Sequence, residues 1–212
     1  MFEIEYKGGN AVILATKSTT LAVDPKTSLI GLKDVQTKDA VELGTEVRFL
    51  VNNPDAKLAL EGPGEYEIGD FSMRGISAQR HIDTESDEKL ATIYRISTGD
   101  IHVALLGNIA PKLTEDELEG LGVVDILILP VGGGGYTLDA TSAAALVRQI
   151  EPKVVLPIHY ADSTLKYEVP QDELEVFTKE LGAPVEEAGN KFKIKTPSSI
   201  PQTLTTVILN RS

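Results

Sequence analysis

Polar residues that interrupt apolar runs are the natural place to look for chemistry in this chain. They fall at Asn52-Asn53-Pro54-Asp55, at Gly107-Asn108 and at His159-Tyr160, each just after a stretch with strand character. The chain has three histidines, His81, His102 and His159, and no cysteine. Any metal site must therefore combine imidazoles with carboxylates, and thiolate nucleophiles and disulfides are excluded. Each position also has a plain structural reading. His81 sits in the charged stretch Arg80-His81-Ile82-Asp83, where a solvated surface histidine is ordinary. His159 ends an apolar strand, where a hydrogen-bonded core or edge histidine is as natural as a ligand. His102 alternates with Ile101 and Val103 and reads as structural on the opposite sheet face. Asn52, Asn53 and Asp55 all favour turns on their own account.

Gly132–Gly135 precedes a helix and could cradle a phosphate. Neither the Lys-Ser or Lys-Thr of a P-loop nor the G-x-G-x-x-G spacing is present, so a tight turn is the expected role. Ser142 and Ser163 lack a nucleophile-elbow context, which leaves a serine hydrolase reading without support.

The elements that must position these residues change character at Gly107. Before it, short strands separated by turn residues are expected at Phe2–Tyr6, Ala11–Ala15, Thr20–Val23, Val47–Val51, Glu65–Ile68, Phe71–Ile76, Leu90–Ile96 and Ile101–Leu106. Gly69-Asp70 and Gly99-Asp100 read as hairpin turns. After it, Thr114–Leu121 has helical spacing and opens on the capping-box pattern Thr114-Glu115-Asp116-Glu117. The apolar run Val123–Val131, the alanine-rich helix Ala140–Ile150 and the strand Val154–Ile158 form a βαβ succession with a parallel crossover. A helix over Gln171–Leu181 and strands at Lys191–Lys195 and Thr203–Leu209 close the chain.

The length of 212 residues suits one α/β domain over 1–212, and 42% apolar with 25% charged residues is a globular composition. The net charge of -12 repels phosphate backbones and anionic surfaces, so no nucleic-acid partner is expected. The acidic N-terminus lacks a secretory pattern, and no apolar stretch approaches the roughly 20 residues that span a bilayer. A cytoplasmic protein without membrane attachment is the expectation.

Taken in order, these residues resemble the metallo-β-lactamase fold, in its small zinc-dependent hydrolase branch. The resemblance runs over nearly the whole chain: Gly9-Asn10 before a strand, Val23-Asp24-Pro25 closing the next, Gly62-Pro63-Gly64-Glu65-Tyr66-Glu67, then Asp125–Gly133, and Pro157-Ile158-His159-Tyr160 where the final histidine ligand belongs. It implies a four-layer αββα sandwich with a site along one edge, where metal-activated water attacks an ester, amide or phosphoester.

The departures from that family pattern fall on the ligands. An HxHxDH motif is implied after the strand corresponding to Val47–Val51, yet Asn52-Asn53-Pro54-Asp55-Ala56-Lys57 stands there. The bridging aspartate of a Gly-Asp turn appears as Asn108, an amide that supplies no bridging charge. Only His81 and His159 match family ligands, whereas catalytic zinc takes three protein ligands and an open position. A two-metal site is not expected. A mononuclear zinc or manganese site remains conceivable if Asp55 joins His81 and His159, with Asp55 then the catalytic carboxylate and Asn53 and Asn108 remnant positions. The leading expectation is a binding or interaction scaffold without two-metal hydrolysis and without a cofactor. The competing readings are a mononuclear hydrolase and a phosphate or nucleotide binder. The partner, a small molecule or a protein, is not named by the sequence, and homo-oligomerisation is left open.

Overall fold

The computed structural model describes residues 1–84 and 86–212. Its strands are β1 (Phe2–Gly8), β2 (Ala11–Ala15), β3 (Thr20–Val23), β4 (Val41–Gly44), β5 (Leu58–Glu61), β6 (Gly64–Ile68), β7 (Phe71–Ala78), β8 (Ala91–Thr98), β9 (Ile101–Leu105), β10 (Ile126–Pro130), β11 (Val154–Ile158), β12 (Val185–Glu187), β13 (Phe192–Ile194) and β14 (Thr205–Ile208). The helices are α1 (Glu115–Leu121), α2 (Ala140–Ile150) and α3 (Leu174–Leu181). The strands form two sheets, one in the order β13-β1-β2-β3-β4-β5 and the other β12-β14-β11-β10-β9-β8-β7-β6.

The period-2 pattern of the first strands explains the stacking. In β1, Phe2, Ile4 and Tyr6 point inward while Glu3, Glu5 and Lys7 stay half-buried. The inward residues join Leu14, Leu21, Leu43, Met73, Tyr94, Ile96 and Leu156 in a core between the sheets. The second core lies on the other face of the larger sheet, where Ala104, Leu127, Leu129 and Val155 meet Leu121 of α1, Ala143, Ala144 and Val147 of α2, and Phe177 of α3. Strands β10 and β11 are buried along their whole length because they feed both cores, as their unbroken apolar sequences require. The result is the α/β architecture of two stacked sheets flanked by helices.

Several expected elements form as read. β2, β3, α2 and β11 have the expected bounds, β10 and β11 pair in parallel around α2, and α1 opens on a capping box between Thr114 and Glu117. The segment Val47–Val51 differs. Its apolar composition suggests a strand, but Val47–Phe49 is a 3-10 turn closed by Phe49 N–H to Glu46 C=O. The strand of this region is β4, parallel to both β3 and β5. A short apolar run fits either state, and here Glu42 in mid-strand hid the real one.

Candidate functional site

One rim of the sandwich gathers the ends of five strands: the β1–β2 turn with Asn10, Asp24 after β3, Thr45 after β4, Asn108 after β9 and His159 after β11. Close approach of the two sheets here depends on Gly107, because a Cβ at that position would collide with the Thr45 side chain. Asp24 and His159 both hold left-handed backbone, at φ 46° and 51°. For residues other than glycine that conformation costs on the order of 1–3 kcal/mol and persists only where surroundings enforce it.

The surroundings are a chain of neutral polar groups. The Asn10 side-chain amide donates to Asn108 Oδ1 at 3.0 Å, and Asn10 Oδ1 lies 2.7 Å from His159 Nδ1. With its amide nitrogen committed to Asn108, Asn10 presents an acceptor to the imidazole, so His159 carries its proton on Nδ1 and a lone pair on Nε2. Burial, reinforced by the Arg48 charge, pushes the His159 pKa down to about 3, so the ring is uncharged at neutral pH. Its face stacks on Tyr167, with centroids 4.9 Å apart.

Beside this chain, Asp24 accepts from the backbone N–H of Thr45 at 2.7 Å and from its hydroxyl at 2.6 Å. Burial raises its pKa to about 7 against the opposing pull of those two bonds. Glu46 is also buried and its pKa is raised by desolvation, which its ion pairs with Arg48 and Arg80 counter. Arg48 then reaches across to the Tyr136 hydroxyl and lies over the Tyr136 ring. Thus Arg48, held by Glu46, and the Tyr136 ring close over the imidazole.

Little space remains beneath them. The two cavities that touch His159 hold about 40 and 30 Å³, one walled by Arg48, Tyr136 and Tyr167 and the other by Asn10, Asp24 and Phe49. Cavities of that size admit a water or a few, whereas small-molecule pockets run to roughly 300–1,000 Å³.

The residues singled out from sequence divide between two places. Asn108 and His159 meet through Asn10, and the His81 backbone N–H donates to the Asn108 carbonyl at 2.9 Å. Asn53 and Asp55 lie elsewhere, in a turn organised by Glu42. That fully buried carboxylate accepts the backbone N–H groups of Val51, Asn52 and Asn53 and the Thr37 hydroxyl. Asn53 also donates to Thr37, and Asp55 is exposed with its N–H on Asn53 Oδ1. The loop that follows the strand beside β3 is therefore Thr45–Leu50, not Asn52–Asp55. It too contains no histidine.

The donor set does not fit a catalytic zinc or manganese ion. Among the described residues no group of three or more His, Asp or Glu side chains is placed to hold a metal ion. At the bridging position, Asn108 Nδ2 is a buried donor without a protein acceptor, and an N–H group repels a cation.

Gly133, Gly134 and Gly135 take positive φ in succession; Gly133 and Gly134 pack against protein, whereas Gly135 faces open space. A Cβ at Gly132 would meet the His159 carbonyl and Gln171, and one at Gly133 would approach the Asp172 carboxylate. Asp139 caps the following helix, bonding Ser142 N–H at 2.7 Å. Two carboxylates around the loop make it a poor phosphate seat.

Asn10, Asp24, Thr45 and Glu46 escaped sequence reasoning as site members. Asn10 and Asp24 were visible as turn residues. Only strand pairing brings them to His159.

The model of the beta-lactamase superfamily domain matches residues 3–159. A UPF0173 protein of Pyrococcus furiosus is 28% identical over 156 residues, covering 72% of this chain and 60% of its own length. The match thus spans about three fifths of that relative's length. Among solved structures, a candidate Zn-dependent hydrolase of the metallo-beta-lactamase superfamily from Thermotoga maritima superposes with a TM-score of 0.76 at 20% identity, over 99% of both chains. The metallo hydrolase Igni18 of Ignicoccus hospitalis gives 0.68 at 16% identity, over 92% of this chain and 99% of its own. At these identities the likeness is one of fold. No helix among the described residues is long and apolar enough to cross a membrane.

Proposed function

The chain belongs to the beta-lactamase superfamily domain family, and from that membership we propose that it uses the fold as a binding scaffold, without two-metal hydrolysis. One observation carries this reading. The rim position where the family resemblance places a bridging carboxylate and a histidine ligand is occupied by a neutral chain in which Asn10 links Asn108 to His159. Hydrolysis by metal-activated water needs an anionic ligand set and an open coordination position. Here the amide at Asn108 supplies no anionic ligand, and the cover of Arg48 and Tyr136 leaves little room for an open coordination position. The partner, a protein or a small molecule, then meets an outer surface rather than the filled rim.

Metal analysis of protein purified without chelator tests the reading. Zinc and manganese are expected well below one ion per chain, with no change on His159→Ala. Near-stoichiometric metal that His159→Ala removes would sink it, and would favour a mononuclear hydrolase drawing His81, His159 and Asp55 together by rearrangement.

A further inference from the structure

We propose a second site, an oxyanion-binding groove on the outer face of the larger sheet, built on Arg74 and Arg95. The two arginines are direct cross-strand partners in the β7–β8 register. Their inward-facing neighbours Met73, Tyr94 and Ile96 enter the core between the sheets, so both guanidinium groups project from the opposite face. Like charges placed opposite one another in a sheet repel, and the pairing is stabilised when an anion bridges them.

Among the described residues no carboxylate bridges the two guanidinium groups. Arg48, Arg80 and Arg211 each sit on a carboxylate and Arg148 donates to the Glu180 carbonyl. Arg74 and Arg95 have no ion pair or hydrogen bond among the described residues, and the Nε of Arg95 is buried without a protein acceptor. The groove above them encloses about 410 Å³, enough for a small ligand, and includes Ser72 and Ser97. These serines are also register partners, one step along from the arginine pair, and Ser97 is held 2.9 Å from His102 Nδ1. Two guanidinium forks beside two hydroxyls match the oxygens of a phosphoryl or carboxylate group.

Glu65 and Glu67 line the same groove on edge strand β6, directly opposite Arg74 and Ser72 in the β6–β7 register. With the net charge of -12, they repel extended polyanions and restrict the site to a compact oxyanion on a small molecule. The site is remote in sequence and sheet face from the His159 rim, and it stands whether or not the scaffold reading does.

NMR of the arginine Nε–Hε groups, titrated with inorganic phosphate and separately with acetate at constant ionic strength, tests the groove. Saturable shifts of the Arg74 and Arg95 signals are expected. Arg74→Gln, at an exposed position, should weaken binding about fivefold, and Arg95→Gln at least as much, by loss of charge-assisted hydrogen bonds. A combined Glu65→Gln and Glu67→Gln variant should tighten it. Tighter phosphate binding assigns a phosphoryl ligand, and tighter acetate binding a carboxylate. Failure of both anions to saturate, or saturation indifferent to Arg74→Gln, would overturn the proposal even if Arg95→Gln does not fold.

Discussion

The two ends of the sandwich solve the same problem, joining strands across two stacked sheets, with opposite materials. At the His159 rim, Asn10, Asp24, Thr45, Glu46, Asn108 and His159 are all buried, Asn10 linking Asn108 to His159, Asp24 accepting from Thr45 and Glu46 pairing with Arg48 and Arg80. At the other end, the Gly69-Asp70 and Gly99-Asp100 turns meet Thr16–Ser18 around an open groove of about 610 Å³, with Asp70 bonding Thr16 and Ser18 in solvent. Glycines supply the positive φ of those two turns, whereas Asp24 and His159 adopt it at the rim with full side chains. Simple strand connection needs neither buried polar groups nor strained side-chain-bearing residues. Their concentration at one end marks the His159 rim as the specialised end of the sandwich.

The largest effect should follow from removing the link in that filling. Asn10→Ala strands a buried amide oxygen on Asn108 and the Nδ1–H of His159, each costing about 1–3 kcal/mol as an unsatisfied buried group. A total loss on the order of 3 kcal/mol is expected in urea unfolding. A loss below about 1 kcal/mol, within the range of an ordinary net hydrogen bond, would mean the rim is no better ordered than the opposite end.

How much of this contrast could be read beforehand depends on the residue. The hairpin turns at Gly69-Asp70 and Gly99-Asp100 announced themselves because glycine next to aspartate favours a turn locally. The α1 capping box and the strand β11 were equally local. Asn108 and His159 stood out as polar groups at strand ends, and the structure joins them. Asn10 and Thr45 did not, because their role arises from pairing across two sheets. The strand β4 was hidden by Glu42, whose charge looks wrong for a buried strand until three backbone N–H groups and Thr37 surround it. The same omission placed the rim loop too late in the chain, on Asn52–Asp55 instead of Thr45–Leu50.

A second prediction separates two titrations inside the rim. The Asp24 pKa is raised to about 7 in the folded protein, above its unfolded value of roughly 3.9, so the folded state holds the extra proton between them. Its contribution to stability therefore falls as pH rises through that window. The His159 pKa is lowered to about 3, beneath an unfolded value of roughly 6.5, so its contribution rises with pH over nearly the same window. The two slopes oppose one another, and the wild-type rim should be nearly flat from about pH 4 to 6.5. Asp24→Asn should uncover stability that climbs with pH, and His159→Gln stability that declines, each by on the order of 2–3 kcal/mol across the window. Denaturation midpoints at several pH values check both. Slopes of the same sign in the two variants would break the account.

The smallest effect tests the other end. Asp70 is held at a low pKa by bonds from Ser18 and Thr16, an arrangement that looks as well made as anything at the rim. It is exposed, however, and water replaces those hydroxyls as soon as the side chain is removed, so no buried group is orphaned. Asp70→Ala should therefore leave the urea midpoint nearly unchanged, as ordinary surface substitutions do. The glycine before it is different: Gly69 takes φ 59° and a Cβ there would collide with Thr19 Oγ1, so Gly69→Ala should cost more than the loss of Asp70's whole hydrogen-bond set. If that order holds, backbone geometry sets the stability of this end and side-chain bonding that of the rim. Measured by urea midpoints, the reverse order would show that the Asp70 cluster, and not the turn, closes the open end.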